Sequence, residues 1–197
     1  MELIKIVYID DQPDMILSKY LDNYKDERCV FSYTDVIFNP DDGYESLINN
    51  INVKSANIIF IDSKLFENRK AHSGKFTGEE FKIILKKYFP FIEVIVITQN
   101  PINDDYKTIP KYHFQSNKDP NDYYSELIKP LMNDSIERIF EVRKIAVEIK
   151  KNDNWEDVMI EKIMNSINGQ EVYDELTKSD IDQIIKMFQI IQDKIEG

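Results

Sequence analysis

The chain has 197 residues, of which 36 are acidic and 25 basic, giving a formal net charge of −11, and 42% of its residues are hydrophobic. That length allows one domain, or one domain with a helical appendage, and this hydrophobic fraction excludes wholesale disorder. The single cysteine, Cys29, excludes a disulfide framework and a cysteine-based zinc site. Because no apolar run is long enough to span a bilayer and no signal-peptide pattern is present, we expect a cytoplasmic protein.

Segments typical of strands alternate with segments typical of helices over residues 1–130. The predicted strands are Leu3–Ile9, Cys29–Phe38, Ala56–Ile61, Glu93–Thr98 and a weaker one at Lys111–Ser116. Apolar residues at helical spacing predict helices from Pro13 to Tyr24, from Asn39-Pro40 onwards and over Glu79–Tyr88. Continuously apolar strands separated by helices indicate an α/β fold with a parallel sheet covered on both faces.

The remaining residues, 131–197, are predicted to form an all-helical extension that serves as an output or dimerisation element. Helical character runs from Asp122 to Lys151, with a kink or restart expected at Pro130. Asn154 and Ser179 are candidate N-caps for two later helices. In the long helix predicted from Asp122 to Lys151, apolar residues recur three and four positions apart. This spacing fits a coiled-coil interface with a second chain and a helix that packs on the chain's own domain equally well.

The charge of the tail bears on its partners. Residues 152–197 contain 11 acidic and 4 basic side chains, a net charge of −7. Since a DNA-binding surface needs basic groups to replace the counterions of phosphates, we expect no nucleic-acid partner. We expect no membrane partner either, because no segment can span a bilayer. A protein partner, or a second copy of the chain bound through residues 131–197, is the expectation.

Acidic side chains follow two of the predicted strands. Asp10 and Asp11 come after the first strand, and Asp62 comes after the third. The carboxyl ends of parallel strands meet at one edge of the sheet, so these side chains are expected to lie together. Two like charges about 4 Å apart repel by about 4 kcal/mol at an effective dielectric of 20, so one carboxyl is protonated or a divalent cation neutralises the set. Magnesium prefers such oxygen ligands and shares sites with phosphate, which suggests phosphoryl chemistry on a carboxylate.

Two further residues complete a pattern. Thr98 ends the fourth predicted strand, and Lys118 follows the fifth. With these, residues 1–130 resemble the receiver domain of two-component response regulators. The motifs that carry the resemblance are IVYIDDQPD, IIFIDSKLF, VIVITQN and FQSNKDP.

The resemblance implies a five-stranded sheet of order 2-1-3-4-5 and a phosphorylation-controlled switch. Asp62 would accept a phosphoryl group from a histidine kinase or a phosphotransfer protein, Thr98 would move towards it, and Lys118 would pair with it. The implied magnesium ligands are Asp10, Asp11, Asp62 and the main-chain carbonyl of Lys64. Such a protein is not an enzyme with an external substrate, since it catalyses at most its own phosphorylation and dephosphorylation.

Other classes are less well supported. No glycine-rich turn follows the first strand, as dinucleotide binding would need, and no second aspartate stands two positions after Asp10, as in haloacid dehalogenases. The loop over residues 63–77 is longer than the turn usual in receivers and contains His72. The serious alternative is a pseudo-receiver, in which the same fold is a binding module or scaffold that is not phosphorylated.

Overall fold

A computed structural model of the chain describes residues 1–66, 77–99, 108–114, 116–151 and 157–167. The strands are β1 (Glu2–Asp10), β2 (Cys29–Ile37), β3 (Ile58–Asp62), β4 (Glu93–Thr98) and β5 (Ile109–Pro110). The helices are α1 (Met15–Asp22), α2 (Tyr44–Asn49), α3 (Ile51–Lys54), α4 (Gly78–Tyr88), α5 (Pro120–Lys150) and α6 (Asp157–Ile167). A 3-10 turn over Pro40–Asp42 precedes α2, so the helix expected from Asn39-Pro40 is divided into three short pieces.

The five strands form one parallel sheet in the order β2-β1-β3-β4-β5. This confirms the predicted fold class. All five residues of β3 are buried, as expected for a central strand that is covered on both faces. The carboxyl ends of β1, β3 and β4 therefore lie next to one another at one edge.

Each face of the sheet has its own hydrophobic core. On one face, side chains of α2, α3 and α4 such as Leu47, Val53 and Phe81 pack against alternate residues of β1 and β3. On the other face, α1 and α5 cover the remaining alternate residues, and Tyr8 and Tyr124 are among the buried aromatic groups. The sheet is thus doubly wound.

The fifth strand differs from its prediction. It consists of Ile109 and Pro110, which pair with Ile97 and Thr98 of β4, so the strand expected at Lys111–Ser116 is wrong. β5 is at the edge of the sheet, where a proline is tolerated because its missing N–H would face away from the neighbouring strand. The chain consequently leaves the sheet just before Lys111.

Helix α5 continues through Pro130, so the restart expected there does not occur. Its Met132 and Ile136 pack into the same core as Ile128. The boundary between domains at residue 130 stays a prediction, and the structure adds that one helix crosses it. The candidate caps Asn154 and Ser179 lie outside the described residues, as do residues 67–76 of the long loop.

Within the described ranges, every helix is too short or too polar to cross a membrane.

Candidate functional site

A buried ion-pair network lies at the carboxyl edge of the sheet. Nζ of Lys111 is 2.7 Å from Oδ2 of Asp10 and 2.7 Å from Oδ1 of Asp62. Asp10, Asp62 and Lys111 are only 1%, 6% and 5% exposed. One ammonium therefore joins carboxylates from two adjacent strands, β1 and β3, and the expected meeting of these acids is observed.

The position of Lys111 follows from the register of the edge strand. The main-chain N–H of Lys111 donates to the carbonyl oxygen of Thr98 at 2.7 Å, which extends the pairing of β5 with β4 by one residue. The lysine side chain then passes the end of β4 to reach β3 and β1. A long, flexible side chain is needed for this reach, and lysine supplies one.

Lys118 is not part of this network, and its assignment to the site is corrected. Its ammonium pairs with the carboxylate of Glu126 on α5, and the two side chains are 53% and 63% exposed. The error came from placing the fifth strand too late in the chain. The sequence carried only a weak signal for the correct lysine, because just two β-branched residues, Thr108 and Ile109, stand shortly before Lys111.

Among the described residues, the Lys111 ammonium contacts Asp10 and Asp62, and Asp11 lies beside these two carboxylates. Burial, followed by the nearby carboxylates of Asp10 and Asp62, raises the pKa of Asp11, which is partly exposed. Burial also raises the pKa of Asp62, although its hydrogen bond with Lys111 acts in the opposite direction. For Lys111, burial alone would lower the pKa, but its bonds to Asp10 and Asp62 outweigh this effect and raise it. Burial thus favours the protonated forms of Asp11 and Asp62, whereas Lys111 stays charged because of its two carboxylate partners.

Asp10 has two further hydrogen-bond donors. The main-chain N–H of Gln12 donates to Oδ1 of Asp10 at 3.0 Å, and the hydroxyl of Tyr8 donates to Oδ2. Burial, followed by the charge of Asp10, raises the pKa of Tyr8 far above its usual range, so the phenol remains a donor. Sequence reasoning missed Tyr8, although residues two apart in a strand point to the same face.

The turn after Asp62 is held between β4 and α4. The main-chain N–H of Lys64 donates to Oδ2 of Asp62 at 2.8 Å, and that of Ser63 donates to the carbonyl of Ile97 at 2.7 Å. Gly78, the first residue of α4, donates its N–H to the carbonyl of Ser63 at 2.8 Å. A Cβ atom at Gly78 would be only 2.6 Å from the carbonyl oxygen of Asp62, so this close approach requires glycine.

The loop that carries Lys111 is attached to the start of α5. The hydroxyl of Tyr124 accepts the main-chain N–H of Tyr112 at 3.0 Å, and the hydroxyl of Tyr123 donates to the carbonyl of Pro110 at 3.2 Å. Thr98, 4% exposed, ends the neighbouring strand. Two hydrogen bonds therefore connect the lysine loop directly to the start of the long helix.

The acids at this edge offer oxygen ligands only, and this donor chemistry fits magnesium better than a softer metal. Among the residues that the structure describes, however, no three His, Cys, Asp or Glu side chains are arranged as a metal-binding group. Lys111 supplies the positive charge between Asp10 and Asp62. The ligand set Asp10, Asp11, Asp62 and the Lys64 carbonyl stays a prediction.

Comparisons with known proteins add a similarity at the level of structure. No family model and no curated protein matches the chain by sequence. Among solved structures, the chain is similar to the two-component response regulator RcsB in complex with DNA. The TM-score is 0.43 and the sequence identity 18%, over 86% of this chain and 94% of the other.

This comparison corrects one expectation about partners. The similar protein was solved with DNA bound, which conflicts with our exclusion of nucleic acid, and we withdraw that exclusion. The exclusion rested on the summed charge of residues 152–197, which is −7 from 11 acidic and 4 basic side chains. A net charge does not determine the charge of any one surface, because acidic and basic groups need not be evenly distributed.

Proposed function

We propose that the chain is a receiver-type signalling domain in which Asp62 accepts a phosphoryl group from a histidine kinase. The observation that supports this most directly is the contact of one buried ammonium, that of Lys111, with both Asp62 and Asp10 at 2.7 Å. Phosphoryl transfer needs a positioned nucleophile and positive charge for the transferred oxygens, and little other chemistry. Asp62 and Lys111 provide these two elements at the carboxyl edge of the sheet.

In the proposed reaction, a carboxylate oxygen of Asp62 attacks phosphorus. The bond between phosphorus and the histidine nitrogen of the donor breaks, and that nitrogen keeps the electron pair and takes up a proton. The product is an acyl phosphate on Asp62. The Lys111 ammonium then contacts the phosphoryl oxygens in place of part of its contact with Asp62, and it stays paired with Asp10.

Magnesium is the proposed cofactor, and it would be held by Asp10, Asp11, Asp62 and the carbonyl of Lys64. When bound, it would supply positive charge to the phosphoryl oxygens in addition to that of the Lys111 ammonium. Besides burial, the charges of Asp10 and Asp62 raise the pKa of Asp11, and a bound cation would offset this effect of the neighbouring carboxylates.

The proposed output begins with the loop after β5. A phosphoryl group on Asp62 would draw Lys111, while Thr98 would move towards the phosphoryl oxygens. Tyr123 and Tyr124 bond to the main chain on either side of Lys111, so the change would reach α5 and the helices beyond it. We propose no turnover of an external substrate beyond self-phosphorylation and hydrolysis of the acyl phosphate.

The test is incubation with magnesium and acetyl phosphate, followed by mass spectrometry of the intact protein. We expect one added phosphoryl group, which is lost in Asp62→Asn and retained in the control Asp41→Asn, whose side chain is exposed. A mass gain that persists in Asp62→Asn would contradict the assignment of the phosphoacceptor. Phosphotransfer from a histidine kinase would then test the donor.

A pseudo-receiver remains the second candidate, and one observation favours it. Asp10, Asp62 and Lys111 are nearly inaccessible and already pair with one another, so the network is a complete structural core. If a folded protein shows no mass gain with acetyl phosphate or with a kinase, the binding module is the better description.

A further inference from the structure

Tyr8 contacts the network at an atom that Lys111 also uses. Its hydroxyl donates to Oδ2 of Asp10, the same oxygen that accepts from Nζ of Lys111 at 2.7 Å. The roles proposed above for Asp62 and Lys111 do not involve this hydroxyl. A carboxylate oxygen has two lone pairs, so Tyr8 and Lys111 together use the full capacity of Oδ2.

The hydroxyl of Tyr8 is fixed in place. Tyr8 is 0% exposed, and its ring packs in the core together with Leu17 and Ile97. The hydroxyl oxygen also accepts the main-chain N–H of Asp14 at 3.4 Å, and Asp14 caps α1. The hydroxyl oxygen accepts from Asp14 and the ring is buried, so the single hydroxyl hydrogen is directed at Asp10.

We propose that Tyr8 is a positioning residue that acts through Asp10 and determines how the Lys111 ammonium is shared between Asp10 and Asp62. A neutral donor on Oδ2 of Asp10 weakens the attraction of that oxygen for the ammonium. Without the phenol, Asp10 attracts Lys111 more strongly, and the ammonium moves away from Asp62. The consequence for phosphoryl transfer rests on the proposed function, whereas the effect on Lys111 does not.

The first test measures Lys111 directly, without metal or phosphodonor. The ¹⁵N resonance of the Lys111 ammonium is compared in the wild type, in Tyr8→Phe and in Tyr24→Phe. Tyr24 is the matched control, because its buried hydroxyl has no hydrogen-bond partner among the described residues. We expect a shifted Lys111 resonance in Tyr8→Phe only, and an unchanged resonance there would overturn the proposal.

The second test measures the rate at which acetyl phosphate modifies the protein. We expect Tyr8→Phe to be about tenfold slower, in the range of one lost hydrogen bond to a charged group, and Tyr24→Phe to match the wild type. In an Asp10→Asn background, Tyr8→Phe should cause no further slowing, because the phenol acts through Asp10. Equal slowing in both backgrounds would show that Tyr8 acts by another route and would overturn the proposal.

The two tests separate the two ideas. If the Lys111 resonance shifts but the wild type takes up no phosphoryl group, the proposed function fails and the positioning of Lys111 by Tyr8 stands. If the wild type is phosphorylated and Tyr8→Phe matches it both in rate and in the Lys111 resonance, Tyr8 has no positioning role while the proposed function stands.

Discussion

Nζ of Lys111 lies 2.7 Å from Oδ1 of Asp62, although Asp62 ends β3 and Lys111 follows β5, and these two strands are not neighbours in the sheet. β4 lies between β3 and β5, and its last residue, Thr98, accepts the main-chain N–H of Lys111 at 2.7 Å. The contact therefore depends on the ends of three strands at once. Four sets of variants test how this site and its supporting structure are held together.

Lys111→Met should destabilise the protein strongly, whereas Lys118→Met should not. Removing one partner of a buried ion pair costs about 3 kcal/mol or more, because the remaining charges are left unpaired or must take up protons. Lys118 pairs with Glu126 at the surface, where such pairs contribute about 0–1 kcal/mol. Chemical denaturation measures both values, and equal losses would contradict the assignment of Lys111 to the network.

Gly78→Ala should destabilise the protein by about 1–3 kcal/mol, as expected for an added methyl group in a packed region. The new Cβ would lie 2.6 Å from the carbonyl oxygen of Asp62, so α4 and the turn after β3 must separate. Ile83→Ala is the control in the same helix, since Ile83 is 72% exposed and its loss should change stability by less than about 0.5 kcal/mol. Thermal unfolding measures both, and a neutral Gly78→Ala would show that the turn can relax without cost.

Glu93 should make the stability of the protein sensitive to acid. Burial alone would raise the pKa of Glu93, but its bonds with Arg138 at 2.8 Å and Lys86 at 3.1 Å outweigh burial and lower it. A lowered folded-state pKa stabilises the protein above the pKa of the unfolded state, and this contribution is lost as the pH falls through the folded-state value. Denaturation midpoints between about pH 6 and pH 3 should therefore fall more steeply in the wild type than in Glu93→Gln.

The double variant Glu93→Gln with Arg138→Met tests the cause of that difference. If Arg138 is a principal partner, Arg138→Met alone should flatten the pH dependence, and adding Glu93→Gln should change it little. Identical slopes in the wild type and in Glu93→Gln would contradict the prediction.

Arg143→Met should loosen the far end of α5. The guanidinium of Arg143 bonds to Glu2 at 2.6 Å, to the carbonyl of Leu3 at 3.0 Å and to Asn57 at 3.3 Å. We expect a loss of about 1–2 kcal/mol and faster hydrogen exchange in the second half of α5. Lys144→Met, at an exposed position of the same helix, is the control and should exchange like the wild type. If hydrogen exchange in the second half of α5 is unchanged in Arg143→Met, core packing alone holds that half of the helix in place.

Local pattern was sufficient for much of the sheet. The apolar run Glu93–Thr98 predicts β4 with its observed bounds, and the acids after the first and third runs lie together as expected. These features depend on strongly periodic or continuously apolar segments, in which burial imposes the same preference on every residue. The role of Asp62 as phosphoacceptor, the movement of Thr98 and the magnesium ligands stay predictions.

The sequence by itself determined that strand ends with acidic side chains meet at one edge, because alternating apolar runs and helices allow few folds other than a parallel sheet. Only the tertiary structure decided which lysine completes the network. A strand of two residues, Ile109 and Pro110, has almost no local signal, and its place is determined by pairing with Ile97 and Thr98. The same holds for Tyr8, whose hydroxyl contacts Asp10 and Asp14 because the fold buries it between β1 and the start of α1.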